Sequence, residues 1–143
     1  MVEVNYIHST EARKDWQTRP ITYQMGNIGS EISRSLKWTE KGNQARADKA
    51  IDRALELFDF TIEANVKNHA RLTEVLKARE EFCDYFFGGN SYHTDPTKMQ
   101  KYYDGFVMID RLAQSNKNKP QGANFLWCGY GESDADLILG KDA

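Results

Sequence analysis

The 143 residues carry 19 Lys and Arg against 21 Asp and Glu, a formal net charge of −2, which excludes a protein that holds nucleic acid by overall charge alone. A chain of this length makes one domain able to bury a core without disulfides or metal, and seven Tyr, seven Phe and three Trp exclude a disordered chain. No run approaches the roughly 20 apolar residues of a membrane span, and the opening MVEVNYIHSTEARKDW has no apolar stretch of a signal peptide, so the expected setting is cytoplasmic with no membrane partner.

Residues 1–24 are polar and without helical periodicity, and they read as an irregular arm that the core does not need. A first helix is expected from about Asn27 to Glu40, with Met25, Ile28, Ile32 and Leu36 on its apolar face and Gly42-Asn43 ending it. The second runs from about Asn43 to Glu63, and Ala47, Ala50, Ile51, Ala54, Leu55, Phe58 and Ile62 form its inward face. A third, Asn68 to Phe87, turns Leu72, Val75, Leu76, Phe82, Cys83 and Phe86 inward and stops at Gly88-Gly89-Asn90. The fourth opens at Asp95-Pro96, where a proline costs no hydrogen bond, and repeats Met99, Tyr102, Phe106, Ile109 and Ala113.

Four such helices joined by short turns predict an all-α fold, an antiparallel four-helix bundle over residues 25–114. From Ser115 the composition becomes that of a linker and then of the extension FLWCGYGESDADLILGKDA, giving a third segment over 115–143.

Asp48, Asp52, Glu56, Asp59 and Glu63 fall within roughly 80° of arc at about 100° per residue, an acidic stripe on the second helix. Like charges four apart disfavour a helix slightly, so the stripe calls for cations from a neighbouring helix, for solvent, or for a basic partner. Arg79 occupies the missing position of the seam Leu72, Val75, Phe82 and Phe86. Its stem then packs in the core while its head reaches a carboxylate at the edge, a phosphate or a partner.

Glu31, Arg34 and Trp38 recur at three and four on the side of the first helix away from its apolar face. An outward Trp beside an Arg is a typical interface anchor and is also able to stack on a base, unless the arm or the tail covers it. Phe125 and Trp127 place further apolar bulk beyond the bundle.

No catalytic residue, cofactor or metal site is read from the chain. Cys83 and Cys128 form no CxxC or Cys/His cluster, and none of His8, His69 or His93 follows a carboxylate by three residues as a di-metal bundle requires. The nucleophile elbow G-x-S-x-G is absent. Gly26-Asn27-Ile28-Gly29 opens the first helix in this reading, and a helix N-terminus binds anions.

The form resembles the HEPN class of small helical ribonucleases, although the Arg and His that this class carries four to six residues apart on a late helix have no counterpart here. That resemblance implies a nuclease or nucleic-acid-associated subunit, with a divergent site around Arg79, Glu80 and Asp84. Ala47-x3-Ile51-x2-Ala54 resembles the second helix of a tetratricopeptide repeat, without a second copy. GNIGSEISRSLKWTEKGN (26–43), RALELFDFTIE (53–63) and REEFCDYFFGGN (79–90) are similar to a group of small bacterial helical-bundle proteins, over about residues 25–112, to which no activity attaches. The function expected is a non-catalytic binding or accessory protein that assembles with itself or with a larger protein partner. Its candidate contacts are Glu31, Arg34, Trp38, Asp48, Asp52, Glu56, Asp59, Arg79, Phe125 and Trp127.

Overall fold

The computed structural model describes residues 6–117. Among these residues the protein is all-α, with five helices: α1 (Thr10–Gln17), α2 (Ile21–Glu40), α3 (Gln44–Ala64), α4 (His69–Phe87) and α5 (Pro96–Lys117). The boundaries follow from local chemistry. The side chains of Asn43 and Asn68 accept the Arg46 and Arg71 N–H groups, each at 3.1 Å, and so cap α3 and α4. Asp95 accepts the Thr97 N–H at 3.0 Å and starts α5. Gly42 and Gly89 hold φ values of 81° and 82° in the turns after α2 and α4, a region open to glycine at no steric cost.

Helix α2 is the axis of the fold. It packs on α3 along one side and on α5 along another, while α3 also receives α1 and α4. Every α2 residue from Tyr23 to Ser35 is buried. Small residues make this enclosure possible. At Gly29 a Cβ would stand 2.3 Å from the Tyr103 Cβ, and at Gly26 it would stand 3.2 Å from Val107. The Gly-Asn-Ile-Gly segment therefore lies in the interior of α2, one full turn past its start, and is the place where α5 approaches. It is not an anion-binding helix opening.

The arm expected over residues 1–24 is ordered where it is described. Ser9 caps α1 by accepting the Ala12 N–H at 3.1 Å. Trp16 is buried, donates to Thr61 Oγ1 at 2.9 Å and meets the Tyr23 ring edge-on. Helix α1 escapes a periodicity test because it is eight residues long and buries only Trp16. Residues 21–26, assigned to the arm or left outside the first helix, form the first turns of α2, directly after Pro20.

The polar residues that hid this start are satisfied internally. Gln24 donates to the Trp16 carbonyl at 2.8 Å and accepts from Asn65 at 3.0 Å, and Asn27 donates to the Tyr23 carbonyl at 2.8 Å. The arm and α1 also cover a second face of α3, so Leu57, Phe60 and Thr61 join the core.

At the other end of the chain, α5 continues through Lys117, past the linker start at Ser115. Helices α4 and α5 pack chiefly on different neighbours, α3 and α2. Leu76, Tyr102 and Ile109, expected inside, are consequently exposed, and Ala113 is exposed as well. Leu36, Leu55, Ile62, Cys83, Phe86 and Phe106 pack on the core from its rim.

Gly29→Ala should destabilise the chain by about 1–3 kcal/mol or more, because neither helix backbone can retreat without opening the α2–α5 contact. Gly105, by contrast, has nothing within 4 Å of a built Cβ, so Gly105→Ala should stabilise dilute protein by about 0.5–1 kcal/mol through helix propensity. Urea unfolding midpoints with unchanged m-values check both, and an unmoved Gly29→Ala midpoint contradicts the close approach.

Candidate functional site

Most carboxylates of the α3 stripe have partners within the chain, although only Glu56 is buried. Asp48 accepts from Gln44 at 2.8 Å, one helical turn before it. Glu56 is buried and binds the start of the described chain: its oxygens accept the backbone N–H groups of Ile7 and His8 and also bond the His8 imidazole Nδ1. Asp59 Oδ1 lies 3.5 Å from Arg79 Nε. Glu63 takes a two-pronged contact from Arg13, with Nε at 3.0 Å on Oε1 and Nη2 on Oε2, and it also accepts from Gln17 at 2.9 Å. The Arg13 hydrogen bond holds the Glu63 carboxyl below its ordinary value, and the Arg13 charge adds to it. The stripe is thus a seam that receives α1, the segment before it and α4. Asp52 alone of the candidate carboxylates on this helix stands exposed with no partner among the described residues.

The outward face expected for Glu31, Arg34 and Trp38 does not exist as such. Glu31 and Arg34 are 0% and 2% exposed. Arg34 Nη1 donates to Glu31 Oε1 at 2.6 Å, and Arg53 Nε of α3 donates to the same oxygen at 3.1 Å. One carboxylate therefore joins two guanidiniums across the α2–α3 contact, and Glu31 Oε2 is buried without a hydrogen bond among the described residues. The apolar stripe Ile28, Ile32 and Leu36 is not the whole buried face of α2: on the Glu31 side α3 brings Arg53 against the helix, and on the Gly26–Gly29 side α5 packs. Trp38 is half-buried, with the Lys41 ammonium 5.6 Å and the Arg46 guanidinium 4.8 Å from its ring centroid. These cations come from the adjoining turn and from α3, so the indole has partners within the chain.

Arg79 is half-exposed on the edge of α4, and its head meets a carboxylate there, the edge contact expected of it. Its guanidinium meets Asp59 and approaches the Cys83 Sγ, with Nη1 at 3.9 Å. Glu80 and Asp84 turn the other way. Asp84 accepts the Ser91 N–H at 3.0 Å, the Ser91 hydroxyl at 2.7 Å and the Tyr92 N–H at 3.0 Å, and these bonds hold its carboxyl below the ordinary value. Glu80 accepts from the Tyr92 hydroxyl. Both carboxylates fasten the α4–α5 loop, where Asn90 and His93 adopt φ values of 57° and 54°. Arg79, Glu80 and Asp84 thus do not converge on a common point.

Between α4 and α5 the splay of the two helices leaves a groove of about 330 Å³, lined in part by Glu74, Lys77, Glu81, Tyr92 and Tyr102. The Tyr102 hydroxyl donates to Glu74, and burial, with that bond, raises its pKa far above the ordinary 10. Tyr103 is fully buried against α2; burial chiefly, then Tyr102 and the Glu81 and Glu74 charges, raise its pKa as well. No group of three or more His, Cys, Asp or Glu among the described residues is placed to hold a metal ion. No helix among them is long and apolar enough to cross a membrane. Phe125 and Trp127 lie outside the described residues.

The surface that sequence reasoning missed is on α5. Met108, Ile109 and Leu112 are 58%, 55% and 59% exposed. The available signal was that Met108 and Leu112 lie four apart, away from the Met99–Phe106 series, and so mark a second apolar face on one helix.

No protein family, no curated protein and no solved structure matches the chain.

Removing the shared acceptor of the buried ion cluster should be costly. Glu31→Ala leaves the Arg34 and Arg53 guanidiniums facing each other across α2 and α3, and breaking a buried pair in this way costs about 3–5 kcal/mol. Glu31→Ala is expected to lower the urea midpoint accordingly, and a loss well under 1 kcal/mol contradicts the role assigned to the cluster.

Proposed function

We propose that the protein is a non-catalytic binding or accessory protein that assembles with another protein chain, its own or a larger partner's, on a scaffold whose long helices α2 to α5 run antiparallel. One observation carries this reading: the outward face of α5 presents Met108, Ile109 and Leu112, each more than half exposed, within a single turn and a half of helix. Fully burying each of these side chains is worth about 1.5–3 kcal/mol. A protein surface that leaves such groups together is commonly one that meets another molecule. The carboxylates Glu56, Asp59 and Glu63 of α3 have partners within the chain, whereas the apolar face of α5 has none among the described residues.

A photoreactive residue placed at position 112 of the full chain, in cells that produce it natively, tests the reading. The expected product is one discrete adduct, its second polypeptide identified by mass spectrometry as this chain or as another protein, and lost on Ile109→Glu. An adduct yield at position 112 no higher than at the exposed Lys77 contradicts it.

A further inference from the structure

Resting on the binding role of α5 just given, we infer that the occupant of this face is a second copy of the same chain, with the two α5 helices antiparallel about a two-fold axis between Val107 and Met108. The argument is one of charge order beside an apolar stripe. At about 100° per residue, Gly105, Met108, Ile109 and Leu112 lie toward solvent, opposite Tyr103 and Val107, which face α2. Asp104 and Arg111 are seven residues apart, so they share one flank of that stripe and are both exposed. Among the described residues Asp104 is engaged only by Gln100, at 3.1 Å, and Arg111 makes no ion pair.

A two-fold interface sets residue i against residue j and, at the same time, j against i. In an antiparallel helix pair the same flanks meet. An axis between positions 107 and 108 therefore brings Asp104 of each copy level with Arg111 of the other, forming two equivalent ion pairs. The same register staggers Met108, Ile109 and Leu112 of the two copies, and Gly105 leaves room for the opposing stripe. A parallel pair does not have this property. It sets the Asp104–Arg111 flank against the flank carrying Tyr102 and Ala113, where α5 has no charge of its own and the nearest charges, Glu74, Lys77 and Glu81, belong to α4. The apolar stripe thus supplies the attraction, and the order of the two charges selects both the partner and its direction.

Sedimentation velocity on the full chain over a wide concentration range tests this, with thermal melts to verify that each exposed substitution leaves the fold intact. The wild-type protein should show a reversible monomer–dimer equilibrium. Asp104→Arg alone and Arg111→Asp alone each set like charges together twice, and each should weaken dimerisation about tenfold. The double variant Asp104→Arg with Arg111→Asp should recover close to wild-type affinity. Leu112→Glu should abolish the dimer whatever the charges.

A dimer indifferent to both single charge reversals, or one that the double reversal fails to restore, overturns the inferred register. A monomer at every concentration overturns the second copy as occupant. In that case a discrete adduct from position 112 to a different polypeptide still upholds the broader binding role, and a yield no higher than at Lys77 removes it.

Discussion

The contact on which the structure depends is the approach of α5 to α2 at Gly29. A side chain there would occupy the space of the Tyr103 Cβ, so a glycine lets one helix lie close against the other. With α3 on another side, the middle of α2 is shut off from water. A wholly enclosed helix must satisfy its own polar groups. Ser30 and Ser35 return their hydroxyls to the carbonyls of Gly26 and Ile32, and Gln24 and Asn27 bond to carbonyls nearby. Glu31 pairs with Arg34 and with Arg53.

That enclosure relocates the surfaces available for binding. Residues of α2 that look amphipathic in isolation are internal, and of the acidic side of α3 Glu56 is buried by the segment before α1 while Asp59 and Glu63 are paired but exposed, by the Arg79 edge of α4 and by α1. Tyr6 also stacks edge-on against Phe60, with the Arg13 guanidinium over its ring. What stays open is the outer side of α4 and α5, the two helices that each pack on one principal neighbour. A proposed role in assembly belongs there for a physical reason: α5 has more apolar surface than α2 alone can cover.

Much of the helical framework was legible in the sequence. The expected starts at Asn43 and Asn68, Pro96 as a start and the glycines after Phe87 rest on local signals, and each marks a boundary within a residue. The strong periodicity of Ala47, Ala50, Ile51, Ala54 and Phe58 likewise identified a buried face. Helix α1 was not legible, because one tryptophan carries no period. The second buried face of α2 was not legible either, because it is made of Gly and Ser, which apolar counting overlooks even though small residues are what close helix contact requires. Glu31 and Arg34 were not legible as internal because the cation that meets Glu31 from α3, Arg53, lies 22 positions away. Glu56 was read as part of a charged surface because its partners, two backbone amides and a histidine, lie 48 and 49 positions away and no local spacing announces them. Position 79 shows the converse: the seam pointed inward, but the long Arg side chain carries its charge out to Asp59.

Native-state amide hydrogen exchange tests the central claim, that α2 is the enclosed element around which the rest is arranged. Amides from Ile28 to Ser35 should exchange only through global unfolding, with an opening free energy equal to that from urea unfolding, while the amides of α4 and of the outer end of α5 exchange through smaller, local openings. If the middle of α2 exchanges as readily as α4, it is not the enclosed core of this protein, and the account given of its glycines, its ion cluster and the exposed face of α5 fails with it.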